Sequence, residues 1–141
     1  MIRTLLLALI MTIASADLAG DWILKSASRG GSAVEVPPGE VTLSLILQAD
    51  GFKAAFQAGN RMLGGMIVDD EISDVQAKVH FTRFTSTRMM PPPHLRQAES
   101  FISNAMPLMT SVLINNEGNL EMTGPDVEAL FAPAGGDQDN A

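Results

Sequence analysis

Two alternating runs joined by Asp50-Gly51 constrain this chain more than any other feature in it. Val41, Leu43, Leu45 and Leu47 alternate with Thr42, Ser44, Ile46 and Gln48, and Phe52, Ala54 and Phe56 resume the alternation after the Asp-Gly pair. A period of two turns one face of a strand toward a core. Asp-Gly between two such runs predicts a tight hairpin in which both turn residues take positive φ. A chain with this unit must fold around a sheet, and the remaining segments decide how that sheet is completed.

Ahead of the hairpin, Trp22-Ile23-Leu24 follows Gly20-Asp21 and starts a first strand that runs to Ser28, with Trp22 as a core plug. Residues 29–39 are rich in Gly and Pro and read as a loop. Beyond it, Gly59-Asn60 and Gly64-Gly65 permit backbone bends. Met66-Ile67-Val68 reads as a short strand with Asp69-Asp70 as its turn. Val79, Phe81 and Arg83 then share one strand face, with His80, Thr82 and Phe84 on the other. Pro91-Pro92-Pro93 leads into a helix over 92–106, where Leu95, Ala98, Phe101 or Ile102, and Ala105 recur at spacings of three and four and Pro107 stops the run. Three short strands follow, at 108–114, 120–123 and 127–131. The fold class is therefore α+β, mainly antiparallel β: a small curved sheet or incomplete barrel with one late helix.

The N-terminus has a different character. Arg3 is the only charge before an apolar run from Leu5 to Ile13, and Ala14-Ser15-Ala16 precedes Asp17. A positive start, a short apolar core and a small-x-small tripeptide predict a cleavable secretory signal peptide over 1–16. The run is about half the roughly 20 residues a spanning helix needs, so no membrane span is expected. Cleavage leaves a domain over 17–132 and a polar tail over 133–141, expected to be disordered. Losing Arg3 leaves eight Lys and Arg against sixteen Asp and Glu, a net charge of −8. Such a chain lacks the clustered cations that phosphate neutralisation needs, and no nucleic-acid partner is expected. There is no cysteine, which excludes disulfides, thiolate metal sites, a Cys nucleophile and a lipid-modified anchor.

Two stretches, AGNRMLGG (58–65) and STRMMPPPHLRQAESFISNAM (86–106), resemble the META domain family, also called HslJ-like heat-shock proteins. The order of parts agrees as well, from a Gly-x-Trp opening strand at Gly20-Asp21-Trp22 to the closing strands, so the resemblance spans about residues 18 to 132. Asn60, Gly64, Ser86, Thr87, Arg88 and Met89 match the family's pattern position by position. Gly59 and Pro91 stand where the family often carries cysteines. The resemblance implies a small antiparallel sheet or incomplete barrel with one helix. The missing cysteines point away from thiol chemistry.

The candidate ligand-facing residues are those of the two segments: Asn60, Arg61, Met62, Gly64, Ser86, Thr87, Arg88, Met89 and Met90. Set against this, Asn60 can serve a left-handed turn, while Ser86 and Thr87 bond local backbone and Arg88 pairs with a carboxylate. Seven methionines remain after the signal, and methionine either fills irregular cores or lines adaptable surfaces. If the two segments adjoin, Met62, Met89 and Met90 form an apolar groove at their junction. His80 and His94 lack the spaced partners of a zinc site, and Asp69, Asp70, Glu71 and Asp74 lack the loop spacing of an EF-hand. No catalytic residue, cofactor or metal is assigned. The sequence reads as an exported, monomeric, non-enzymatic protein of the periplasm or exterior, related to envelope stress. Its expected partner is a hydrophobic peptide, a lipid or an envelope protein. The alternatives are a small metal-dependent hydrolase and a structural envelope component without ligand.

Overall fold

The structure is a computed structural model that describes residues 18–87 and 89–135. Residues 1–17, which include those expected to form a signal peptide, Arg88 and residues 136–141 lie outside the described residues. Ten strands are formed: β1 (Gly20–Arg29), β2 (Ser32–Ala33), β3 (Thr42–Gln48), β4 (Gly51–Ala58), β5 (Asn60–Glu71), β6 (Gln76–Phe81), β7 (Thr85–Ser86), β8 (Ser111–Ile114), β9 (Leu120–Gly124) and β10 (Val127–Pro133). Between β7 and β8 a 3-10 turn (Pro93–Leu95) runs into helix α1 (Arg96–Asn104), and a second 3-10 turn (Met106–Leu108) follows.

Neighbouring strands are antiparallel in the order β1-β3-β4-β5-β6-β8-β9-β10. The sheet does not stop there. β10 pairs back onto β1 from Trp22 with Pro133 to Arg29 with Val127, with a bulge between Leu24 and Ser26. The result is a closed eight-strand barrel, which corrects the incomplete barrel expected from sequence. Closure removes the unpaired edges that an open sheet would expose. An eight-strand barrel is also just wide enough for side chains to fill its interior. Pro133 belongs to this closing strand, and the Ala134 N–H donates to the Asp21 carbonyl at 2.9 Å, so the ordered sheet runs into the stretch read as tail.

The alternation seen in the sequence becomes the barrel's inside and outside, except at Leu47, which is exposed near the end of β3. Leu43 and Leu45 of β3, Phe52, Ala54 and Phe56 of β4, and Met62 and Met66 of β5 are buried. They meet Leu24, Val79, Val112, Leu120, Met122 and Phe131 from the other strands. Trp22 is buried, its indole N–H donating to the Leu18 carbonyl at 3.0 Å. The helix was legible from its spacing: Leu95, Ala98, Phe101, Ile102 and Ala105 are all buried. Five methionines (Met62, Met66, Met106, Met109 and Met122) are core fillers, whereas Met89 and Met90 are exposed.

Several local expectations are corrected. The β3–β4 hairpin forms with Gln48 opposite Gly51, but neither Asp50 nor Gly51 takes positive φ. Glycine is required at 51 for space, because a Cβ there would lie 2.1 Å from the Met66 carbonyl oxygen. The segment read as bends and a short strand is one continuous strand, β5, which passes through Gly64-Gly65 and Asp69-Asp70 without turning. At Gly64 a Cβ would lie 2.3 Å from the Phe84 ring. β6 ends at Phe81, so the face assignment beyond it reverses: Arg83 is exposed, and Phe84 folds over Gly64 and packs, half-buried, against the core. There its ring centroid lies 5.5 Å from that of Phe56 and 5.9 Å from that of Phe81.

Glu71, at the end of β5, has one carboxylate oxygen out of solvent with no hydrogen-bond partner. Burial, and secondarily the charge of Asp74, raises its pKa above the ordinary value. A carboxyl raised in the folded state favours folding in acid, and that advantage is lost as pH rises through the folded pKa. Glu71→Gln should therefore raise the melting temperature near neutral pH, with the gain shrinking as pH falls through the carboxylate range. Thermal melts across that range check this; a gain independent of pH would contradict it.

Candidate functional site

The two sequence segments do adjoin. At the end of β4 the chain reverses at Gly59, whose φ of +86° suits glycine and disfavours side chains with a Cβ. The left-handed residue is thus Gly59, whereas Asn60 is the first residue of β5. β7 then lies antiparallel against β5, with Met62 opposite Ser86 and Leu63 opposite Thr85. This pairing carries the strand that follows Phe84 back toward the turn.

Asn60 ties the junction together. It is only 4% exposed and is the one buried polar side chain among the described residues. Its Oδ1 accepts from the Met89 backbone N–H at 2.9 Å and from the Thr87 hydroxyl at 3.0 Å. Its Nδ2 donates to the Met89 carbonyl at 2.7 Å and to the Glu99 carboxylate of α1. All four hydrogen-bonding positions of the amide are used, which is what burial of such a group demands. Thr87 extends the network: its hydroxyl accepts from the Arg61 N–H at 3.0 Å, and its own N–H donates to the Arg61 carbonyl at 3.1 Å. The Ser86 hydroxyl donates to the Thr87 carbonyl at 2.7 Å. Strand β5, segment 85–89 and helix α1 are thereby locked around one amide.

The lock displays two side chains. Met89 is 64% exposed and Met90 80%, beside an open recess of about 470 Å³ lined also by Asn60, Ser86, Thr87, Pro91 and Glu99. Met62 does not join them. It is 1% exposed, and its sulfur accepts from the Ser103 hydroxyl at 3.3 Å. The three-methionine groove expected from sequence is therefore a two-methionine ledge. Arg61 is exposed, Gly64 is covered by Phe84, and Arg88 lies outside the described residues. Glu99 is the member of the site that the sequence reading did not single out, although it stands at a polar place on an amphipathic helix.

The two histidines lie in separate surface pairs. His80 Nδ1 is 2.8 Å from the Asp69 carboxylate, and His94 Nε2 is 2.9 Å from that of Glu40. Among the described residues no three His, Asp or Glu side chains converge as metal ligands do. Nor is any described helix long and apolar enough to cross a membrane.

The META domain model matches residues 16–134. This chain belongs to the META domain family. The match covers the whole barrel, from ahead of β1 to just past the end of β10. The fold is similar to that in an NMR structure of a protein from Burkholderia xenovorans, with a TM-score of 0.59 and 21% identity over 84% of this chain and 86% of that one. That likeness concerns the fold alone. No curated protein matches the chain.

Family membership gives the departures at 59 and 91 a geometric meaning. A Cβ placed on Gly59 would lie 3.3 Å from the Pro91 Cβ. Disulfide-linked Cβ atoms stand about 3.5–4.5 Å apart, so the two positions are a bridgeable pair after a small shift. The double variant Gly59→Cys/Pro91→Cys should form an intramolecular disulfide under oxidising conditions. It should gain about 1–3 kcal/mol over its reduced form, the loop entropy being partly offset by strain at the positive φ of residue 59. Free-thiol titration and paired melts check this; two persistently free thiols would contradict it.

Proposed function

We propose that this META-domain protein is an exported, non-enzymatic binding protein of the periplasm or cell exterior, and that the Met89–Met90 ledge is the surface it presents. The observation that carries this reading is an exposed apolar pair on a segment fixed by a fully bonded buried amide. Ordering exposed methionines without burying them gives the fold little, since a large apolar side chain stabilises by about 1.5–3 kcal/mol only when it leaves water. Methionine side chains adapt to varied apolar partners. A pre-fixed backbone also lowers the entropic cost of binding. The partner that fits is a hydrophobic peptide, a lipid tail or the apolar patch of an envelope protein. A role in envelope stress would follow from such capture.

Export is supported by the charge, apolar core and Ala14-Ser15-Ala16 pattern of the first sixteen residues. Expressed in a bacterium with its natural N-terminus, the protein should be recovered outside the cytoplasm with a mass beginning at Asp17. Intact protein retained in the cytoplasm would contradict export.

Binding is tested by titrating an environment-sensitive hydrophobic dye, and separately zwitterionic lipid vesicles, into the wild type and a Met89→Gln/Met90→Gln variant. Both side chains are exposed, so the variant should melt as the wild type does. Saturable binding is expected in the wild type, weakened about tenfold in the variant, as losing half of two buried methionines implies. Absence of saturable binding in the wild type, or equal binding by both, would leave the structural-component reading in its place.

A further inference from the structure

A second recess lies on another face of α1, away from the Asn60 lock. It has a volume of about 290 Å³ and is lined by Arg29, Val34, Arg96, Gln97, Ser100 and Phe101. That is just below the roughly 300–1,000 Å³ usual for small-molecule sites, so the occupant is small. Arg29 ends β1 and Arg96 opens α1, so the barrel wall and the helix each contribute one arginine to its lining. Among the described residues neither has a carboxylate partner. Glu99, the acid nearest Arg96 along the helix, is engaged by Asn60 instead.

The remaining polar groups are arranged as donors. The Gln97 Oε1 already accepts from the Glu35 backbone N–H at 3.0 Å, which leaves the Nε2 hydrogens to donate. The Ser100 oxygen accepts from Asn104 Nδ2 at 3.2 Å, which leaves its O–H to donate. Two guanidinium forks, an amide N–H and a hydroxyl call for an acceptor-rich anion, and guanidinium matches a carboxylate in bidentate geometry. Phe101 and Val34 supply an apolar wall beside this head. The surrounding chain is acidic, and its field disfavours a more highly charged ligand.

We propose that this recess binds a small monocarboxylate bearing a short apolar chain. The carboxylate lies between Arg29 and Arg96 and the chain against Phe101 and Val34. The site is independent of the methionine ledge, so Met89→Gln/Met90→Gln should leave it unchanged.

The test is an NMR titration of the purified protein with octanoate, alongside acetate, octanol and octyl phosphate. Octanoate should bind at least about tenfold more tightly than acetate or octanol, because only it makes both the charged hydrogen bonds and the apolar contact. Shifts should centre on Arg29, Gln97 and Phe101. Arg29→Gln and Arg96→Gln should each weaken binding about tenfold with unchanged melting, and Arg→Lys variants should recover only part of it. Added salt should weaken octanoate binding and leave any octanol binding unaffected. Octanol binding as tightly as octanoate, unchanged affinity in both Gln variants, or shifts centred on Met89 would overturn the site. Tighter binding of octyl phosphate would overturn the monocarboxylate assignment.

Discussion

Asn60→Ala should destabilise the protein by about 2–4 kcal/mol, the sum expected when a buried, fully bonded amide is removed and one of its partners is charged. The variant loses the bonds to the Met89 N–H and carbonyl, the Thr87 hydroxyl and the Glu99 carboxylate together. Segment 85–91 should loosen before the barrel does, because its partners can reach water once released. Asn60→Asp has nearly the same shape and should be worse near neutral pH. It turns the donating nitrogen into an oxygen that faces the Glu99 carboxylate and the Met89 carbonyl. Adding Glu99→Gln to Asn60→Asp should recover part of the loss by removing the like charge and restoring a donor. Denaturant melts of the three variants and the wild type check the order; Asn60→Ala within about 0.5 kcal/mol of wild type would contradict the lock.

Phe56→Ala should cost about 3–5 kcal/mol and lower the melting temperature by on the order of 10 °C or more. Phe56 is fully buried, and its ring meets those of Phe84 and Phe81, at centroid distances of 5.5 Å and 6.4 Å. Truncation leaves a cavity inside a closed barrel, where the paired strands cannot move in to fill it. Phe56→Leu keeps most of the volume and should cost less, about 1.5 kcal/mol. Phe84→Ala made together with Phe56→Ala should fall short of the sum of the single losses by about 0.5–1.5 kcal/mol, the worth of a ring pair. Additive losses would contradict a shared aromatic cluster.

What could be read in advance was local. Leu95, Ala98, Phe101, Ile102 and Ala105 declare the helix because burial of one face imposes their spacing. The runs 41–48 and 52–56 declare a hairpin for the same reason, with a period of two. Closure could not be read, because it joins Trp22 to Pro133 and neither strand carries a mark of its partner. Gly64-Gly65 looked like a bend because the sequence shows a missing side chain, not the Phe84 ring that needs the space. Phe84 itself was placed on the wrong face because alternation was extended past the end of β6. Asn60 stood out by its motif, yet its helix partner Glu99 lies 39 residues away and resembles any solvent-facing acid. Arg29 and Arg96 are further apart still in sequence, and only the barrel wall and helix together bring them to one recess.

The central claim is that one buried amide fixes the segment that displays Met89 and Met90. Hydrogen exchange of the Met89 backbone amide tests it most directly, because that N–H donates to Asn60 Oδ1 although the residue's side chain stands in solvent. Protection approaching that of the barrel strands is expected in the wild type and should be lost in Asn60→Ala. Exchange of the Met89 amide at the rate of an unstructured loop in the wild type would contradict the claim.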